Sequence, residues 1–105
     1  MTEDDNRQVI ACDGEVTVAG ADDLHDRLCR ALTDGRPIEV DLSEASVVDV
    51  SIVQLLIAAR ASAERRGVIL ALRKPAGLAL LETLRRGGFL SDPPSPDNDF
   101  WIGGM

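Results

Sequence analysis

A chain of 105 residues supports one domain rather than two, since independent cores need about 100 to 200 residues each. Hydrophobic residues make up 45% and charged residues 28%, a globular balance and not a disordered one. The formal net charge is −7 and the only rings are Phe89, Phe100 and Trp101, which argues against nucleic-acid binding: phosphates would be repelled and bases would find no stacking platform.

No apolar run reaches the roughly 18 to 20 residues of a membrane span. The start, MTEDDNRQ, is acidic and polar where a signal peptide is basic and apolar. The expectation is a soluble, cytoplasmic protein without membrane insertion. Charge is uneven: residues 1–50 carry 13 acids against 4 Arg, and residues 51–105 carry 5 acids against 7 bases. Cys12 and Cys29 read as reduced, small core hydrophobes. His25 stands four residues before Cys29, a ligand-like spacing, but zinc takes three or four protein ligands and no second Cys/His cluster completes the set. No cofactor or metal is expected.

Residues 1–6 read as a polar tail. Gln8 to Cys12 (QVIAC) and Glu15 to Val18 (EVTV) flank Asp13-Gly14, a pair that accepts the positive φ of a tight turn, so the pattern predicts a hairpin. From Ala21 the period becomes helical, with Leu24, Leu28, Ala31 and Leu32 on one stripe and Asp22, Asp23 and Asp26 near the start; Gly35 and Pro37 stop it. Ile38 to Leu42 (IEVDL) alternates and continues toward Val47-Val48 as a third strand. Ser51 to Arg66 is the longest helical segment, and Ser51-x-x-Gln54 fits a capping box; Gly67 ends it. Its inward face is either 52/55/56/59/63 or 53/56/57 with Arg60 at the margin. Val68 to Leu72 (VILAL) reads as a strand covered on both faces. Pro75 opens a further helix carrying Leu78, Leu81 and Leu84, closed by Gly87-Gly88. Residues 91–98 form a proline-rich loop, and Asp99 to Ile102 (DFWI) reads as a last edge strand. The order β-β-α-β-α-β-α-β implies an α/β fold with a mixed sheet of about four to five strands and helices packed against it.

Enzyme signatures are missing. The chain has no Walker-type loop, no G-x-G-x-x-G and no G-x-S-x-G, and His25 is its only histidine. A non-enzymatic protein is expected.

The stretch Ile38–Gly67, IEVDLSEASVVDVSIVQLLIAARASAERRG, resembles the core of STAS domains, a family that includes bacterial anti-sigma factor antagonists. The matching residues are Asp41-Leu42-Ser43, Val47-Val48 and Asp49-Val50-Ser51-Ile52-Val53, against a family pattern of D-L-S, a hydrophobic pair and D-S-S-G-L. The resemblance covers about residues 8–90 of a single domain spanning 1–105. It implies phosphorylation of Ser51 by a partner that is both a histidine-kinase-like ATPase and the anti-sigma factor. It also implies a partner-binding surface of Asp49, Val50, Ile52 and Leu55 at the start of helix 51–66. A phosphate would add about −1.5 to −2 charge where a helix N-terminus tolerates it; with Asp49 and the acidic first half of the chain it would make the surface locally repulsive and expel a docked partner without unfolding the domain. The chain departs from the pattern at Val50 and Ile52, and no final helix is expected after residue 102. The family register would put Val53, Leu56 and Ile57 inside and leave Ile52 near the surface. The variant tract is also similar to STAS members outside the sigma-factor system: chemotaxis-associated adaptors, and subunits that scaffold the ATPase of lipid-transport ABC complexes without phosphorylation.

Overall fold

The computed structural model describes residues 6–90 and 96–102. The stripe of Leu24, Leu28, Ala31 and Leu32 is buried along one side of the helix Ala21–Asp34 (α1), with Asp22 and Asp23 in its first turn and Gly35 closing it in the left-handed conformation. α1 connects the strand Gln8–Val16 (β1) to the strand Ile38–Val48 (β2), and the helix Val50–Arg66 (α2) leads on to the short strand Leu70–Leu72 (β3). A 3₁₀ turn, Val18–Gly20, joins β1 to α1; the helices Leu78–Gly87 (α3) and Pro96–Ile102 (α4) follow β3. Among the described residues the sheet has three strands in the order β1-β2-β3, all parallel, as two strand–helix–strand crossovers require.

The α/β class with helices against a sheet is as read from the sequence; several elements are not. The hairpin at Asp13-Gly14 does not form. β1 runs straight through it and pairs along its whole length with β2, 9 residues against 11. The two extra residues of β2 are absorbed as register shifts, one opposite Cys12 and one between Gly14 and Glu15. Gly14 carries the positive φ of 65° that Asp-Gly foretold, but spends it on bending the strand beside those bulges instead of reversing the chain. The sheet is therefore parallel and three-stranded rather than mixed with four to five strands.

DFWI is helical, not an edge strand. It lies in α4, whose Trp101 is buried and whose Trp101 carbonyl accepts from the Ala76 N–H at 2.7 Å. A short helix thus leads up to residue 102 where an edge strand was expected. α3 starts at Leu78 with Gly77 as its N-cap, three residues beyond Pro75. β3 is an edge strand, so VILAL is not covered on both sides, and Ile69 is 68% exposed. Cys29 is exposed and Cys12 half-buried, so neither is a core hydrophobe. Residues 1–5, the prolines of 91–95 and the Gly103-Gly104 end lie outside the described residues.

Alternation along β2 sorts the sheet into two faces. Ile38, Val40 and Leu42 are buried under the helices, while Glu39 and Asp41 turn to the opposite side. That opposite side carries Arg7, whose Nη1 lies 2.6 Å from Glu39, and Arg73 at 3.8 Å from the same carboxylate. One hydrophobic cluster, from Ile10 to Trp101, holds all four helices to the other face.

Candidate functional site

The site is the start of α2 and the sheet end that delivers it. β2 reaches Val48, and the Asp49 N–H donates to the Val16 carbonyl at 3.0 Å, so the chain leaves the sheet with its backbone still tied to β1. Asp49 then has extended dihedrals and its Oδ1 accepts from the Ser51 N–H at 3.1 Å. Asp49 is therefore the N-cap, and Ser51 sits inside the first turn. The capping box expected at Ser51/Gln54 does not exist. Thr83 on α3 buttresses the junction: its hydroxyl donates to the Val48 carbonyl at 2.5 Å.

The D-L-S motif has a local task in the bulged strand. Asp41 Oδ1 accepts from the Ser43 N–H at 2.9 Å and from the Ser43 hydroxyl at 2.6 Å. The register shift opposite Cys12 interrupts the β1–β2 ladder at Leu42 and Ser43, and the carboxylate supplies a partner for the Ser43 N–H at that point. These two bonds hold the Asp41 carboxyl below its ordinary range, with Lys74 and Arg73 adding to the effect.

The residues expected to form a contact surface separate in space. Asp49 is half-buried as the cap, and Val50 is 42% exposed beside it. Ile52 is fully buried, so it is no surface contact: the α2 register turns it into the core with Val53, Leu56, Ala59 and Ala63. Of the two inward faces open to α2, the structure takes most of the first, with 52, 56, 59 and 63 buried; Ile57, inside in the second and in the family register, is 42% exposed. Leu55 is half-buried and faces α1, lining a small cleft with Leu28, Leu32 and Cys29. In that cleft the His25 ring nitrogens lie 3.7 and 3.9 Å from Cys29 Sγ. Ser51 Oγ is shielded from solvent and has no hydrogen-bond partner.

The sequence reading missed the outward side of α2. Val50, Gln54, Ile57 and Ala61 recur at i, i+4, i+7 and i+11, and all are exposed. No charged residue interrupts α2 between Asp49 and Arg60. The signal was available: ten residues without a charge, with only Ser51 and Gln54 polar, carry more apolar surface than one inward face can bury. The stripe ends at a groove of about 260 Å³ lined by Ile57, Ala61, Phe89, Trp101, Arg60 and Glu64. Arg60 lies 3.7 Å from Glu64 and 4.9 Å from the Phe100 ring centroid, which fixes one wall of it. At its other end the stripe meets a shallow groove of Val48, Asp49, Val50, Thr83, Arg86 and Gly87.

A family model described as "Mlab, STAS domain" matches residues 1–90. The chain belongs to the STAS domain family. No curated protein matches it. Among solved structures, a sulfate transporter family protein from Wolinella succinogenes is similar over 80% of this STAS domain and 68% of its own chain, at 24% identity and a TM-score of 0.59. The crystal structure of Mglu is similar over 67% of this chain at 20% identity and a TM-score of 0.58, but this STAS domain spans only 18% of Mglu. At these identities the two structures speak for the fold alone. As a STAS domain the chain is a protein-interaction or regulatory module by class. Among its described residues, no helix is long and apolar enough to cross a membrane.

Proposed function

We propose that this STAS domain is a constitutive binding subunit that docks a partner protein on the outward side of α2, from Asp49 and Val50 to Ile57 and Ala61. The observation that carries the reading is the uncharged stripe Val50–Gln54–Ile57–Ala61, left open in a chain whose residues are 28% charged. Ser51 is on this reading a packed residue of the first turn and no switch, because its hydroxyl is shielded in the helix-end packing. Of the partner classes that the resemblance offers, this reading takes the ATPase of a lipid-transport ABC complex, which needs no phosphorylation, over the histidine-kinase-like anti-sigma factor; the matching family model carries the description Mlab, STAS domain.

The test is affinity capture of the tagged chain from its native host, with mass spectrometry of bait and prey. The expected result is an ATPase that copurifies with unphosphorylated bait, is retained by Ser51→Ala, and is lost by about tenfold or more with Ile57→Asp, which places a charge in the centre of the contact. A bait heavier by about 80 Da, one phosphate on Ser51, with a histidine-kinase-like partner released by that phosphate, would establish the switch instead.

A further inference from the structure

β3 ends the sheet on one side with half of its backbone groups turned outward. The Ile69 carbonyl accepts from the Ile38 N–H at 2.8 Å, and the Arg73 N–H donates to the Val40 carbonyl at 2.9 Å. Backbone groups alternate sides along a strand, so residues 69, 71 and 73 face β2, while the N–H and C=O of Leu70 and Leu72 point away from the sheet. Among the described residues no strand pairs with them there. A groove of about 350 Å³ is lined by Ile69 and Leu70, by Ala63 and the Arg60–Glu64 pair of α2, and by the Phe100 ring. Leu70 is buried in the helix layer beside Ile38, and Ile69 turns the other way; a groove that touches both lies along the edge of the strand and not over one face. Charge singles out the same place. Residues 65–81 hold Arg65, Arg66, Arg73 and Lys74 and no acid, in a chain of net −7. Two of these cations precede β3 and two follow it, and Lys74 has no ion-pair partner among the described residues.

We infer that the free edge of β3 is a further binding site, one that takes an extended segment of a partner protein as an added strand, apolar in its middle and acidic at its ends. Backbone bonds to Leu70 and Leu72 supply affinity, as in other cases of strand addition, and alternate side chains supply selection. One apolar side chain of the segment enters the groove between Ala63 and Phe100 and leaves water there. Its acids meet Arg65 and Arg66 before the strand and Arg73 and Lys74 after it. Cations beside an edge deter unwanted pairing; here they turn away basic strands and admit an acidic one. A second copy of the chain does not fit, because edge-to-edge pairing of two β3 strands sets the same four cations against each other. The site is separate from the α2 stripe and does not depend on docking there.

The experiment uses the full chain, ¹⁵N-labelled, and short synthetic peptides with a common Val-Thr-Val-Thr middle, one flanked by Glu pairs and one by Lys pairs. A third repeats the Glu peptide with alternate backbone nitrogens methylated, which removes the donors an added strand needs. The Glu peptide is expected to shift the amides of residues 68–74 and to slow hydrogen exchange at Leu70 and Leu72. Methylation should weaken it about tenfold or more, and Lys74→Glu about fivefold or more. Arg30→Glu makes the same change of charge on the exposed side of α1, which lines no part of this groove, and should leave the affinity within about twofold. Lys74→Gln repeats the test without reversing the charge, should Lys74→Glu fail to fold. Undiminished binding of the methylated peptide overturns strand addition, and equal binding of the Glu and Lys peptides overturns the acidic partner. Shifts confined to residues 50, 54, 57 and 61 overturn the edge site and leave the α2 docking reading standing. Shifts at 68–74 that follow protein concentration without peptide assign the edge to a second copy and overturn the inference as well.

Discussion

Replacing Ile52 by Ala tests the register of α2, on which the placement of the docking surface depends. Ile52 is completely buried in the first turn of the helix, in one cluster with Val53, Leu56 and the β2 residues. The substitution removes three carbons from that cluster, worth about 2.4 kcal/mol at about 0.8 kcal/mol each. The cavity left behind adds to this, since Val53 and Leu56 are held by their own contacts and relax only in part; the total is about 3 to 4 kcal/mol. A domain of this size has about 5 to 15 kcal/mol in all, so the loss is a large share of it. Urea denaturation followed by circular dichroism measures it directly, with an unchanged slope as the sign that only stability moved. Val50→Ala, two residues away but exposed, should cost no more than about 0.5 kcal/mol. Should Ile52→Ala cost less than about 1 kcal/mol, or should the two variants lose equally, the helix is rotated from the orientation described and the outward stripe is a different set of residues.

Further expectations follow from the helix cap and the bulge. Asp49→Ala should lower stability by about 1 kcal/mol, the usual worth of an N-cap, whereas Ser51→Ala should be neutral or stabilising because it deletes a hydroxyl buried without a partner; thermal melts of the pair decide which residue is the cap. Asp41 is held below its ordinary pKa by Ser43, so it contributes stability that is present above the unfolded aspartate value, near pH 4, and is lost as pH falls through the lower folded value. Ser43→Ala removes the larger of the two causes, and an NMR titration of the Asp41 carboxyl carbon should show its pKa rising toward the ordinary value; an unchanged titration would mean that the hydroxyl bond is not made.

Where the sequence spoke through periodicity, the structure agrees. The stripe of α1, the alternation of Ile38, Val40 and Leu42, and the glycine stops at 35, 67 and 88 are all in place, because each pattern has one way to bury its apolar side. Where it spoke through a local signal alone, the tertiary context chose the meaning. Asp-Gly states only that a positive φ is tolerated at Gly14, and a long parallel neighbour turned that freedom into a bulged strand. DFWI has no period to read: four residues cannot separate a strand from one turn of helix, and the burial of Trp101 settled it for α4. The cap was ambiguous for another reason. Asp49 and Ser51 are both good N-cap residues two positions apart, and what decides between them is the Asp49–Val16 backbone bond, a contact 33 residues distant in sequence.

The two departures from the STAS pattern have opposite fates, and together they account for the character of the surface. Ile52 replaces the family's glycine and turns inward, where it fills the core at the start of α2; Val50 replaces a serine and turns outward, where it begins an uncharged stripe. A helix filled on one side and uncharged on the other gains stability from the first change and acquires a demand for cover from the second. That demand is a hazard for a free chain, because exposed stripes of this kind associate with one another. The charge distribution opposes it. Thirteen acids in the first half of the chain and a net charge of −7 leave every copy repelled by every other.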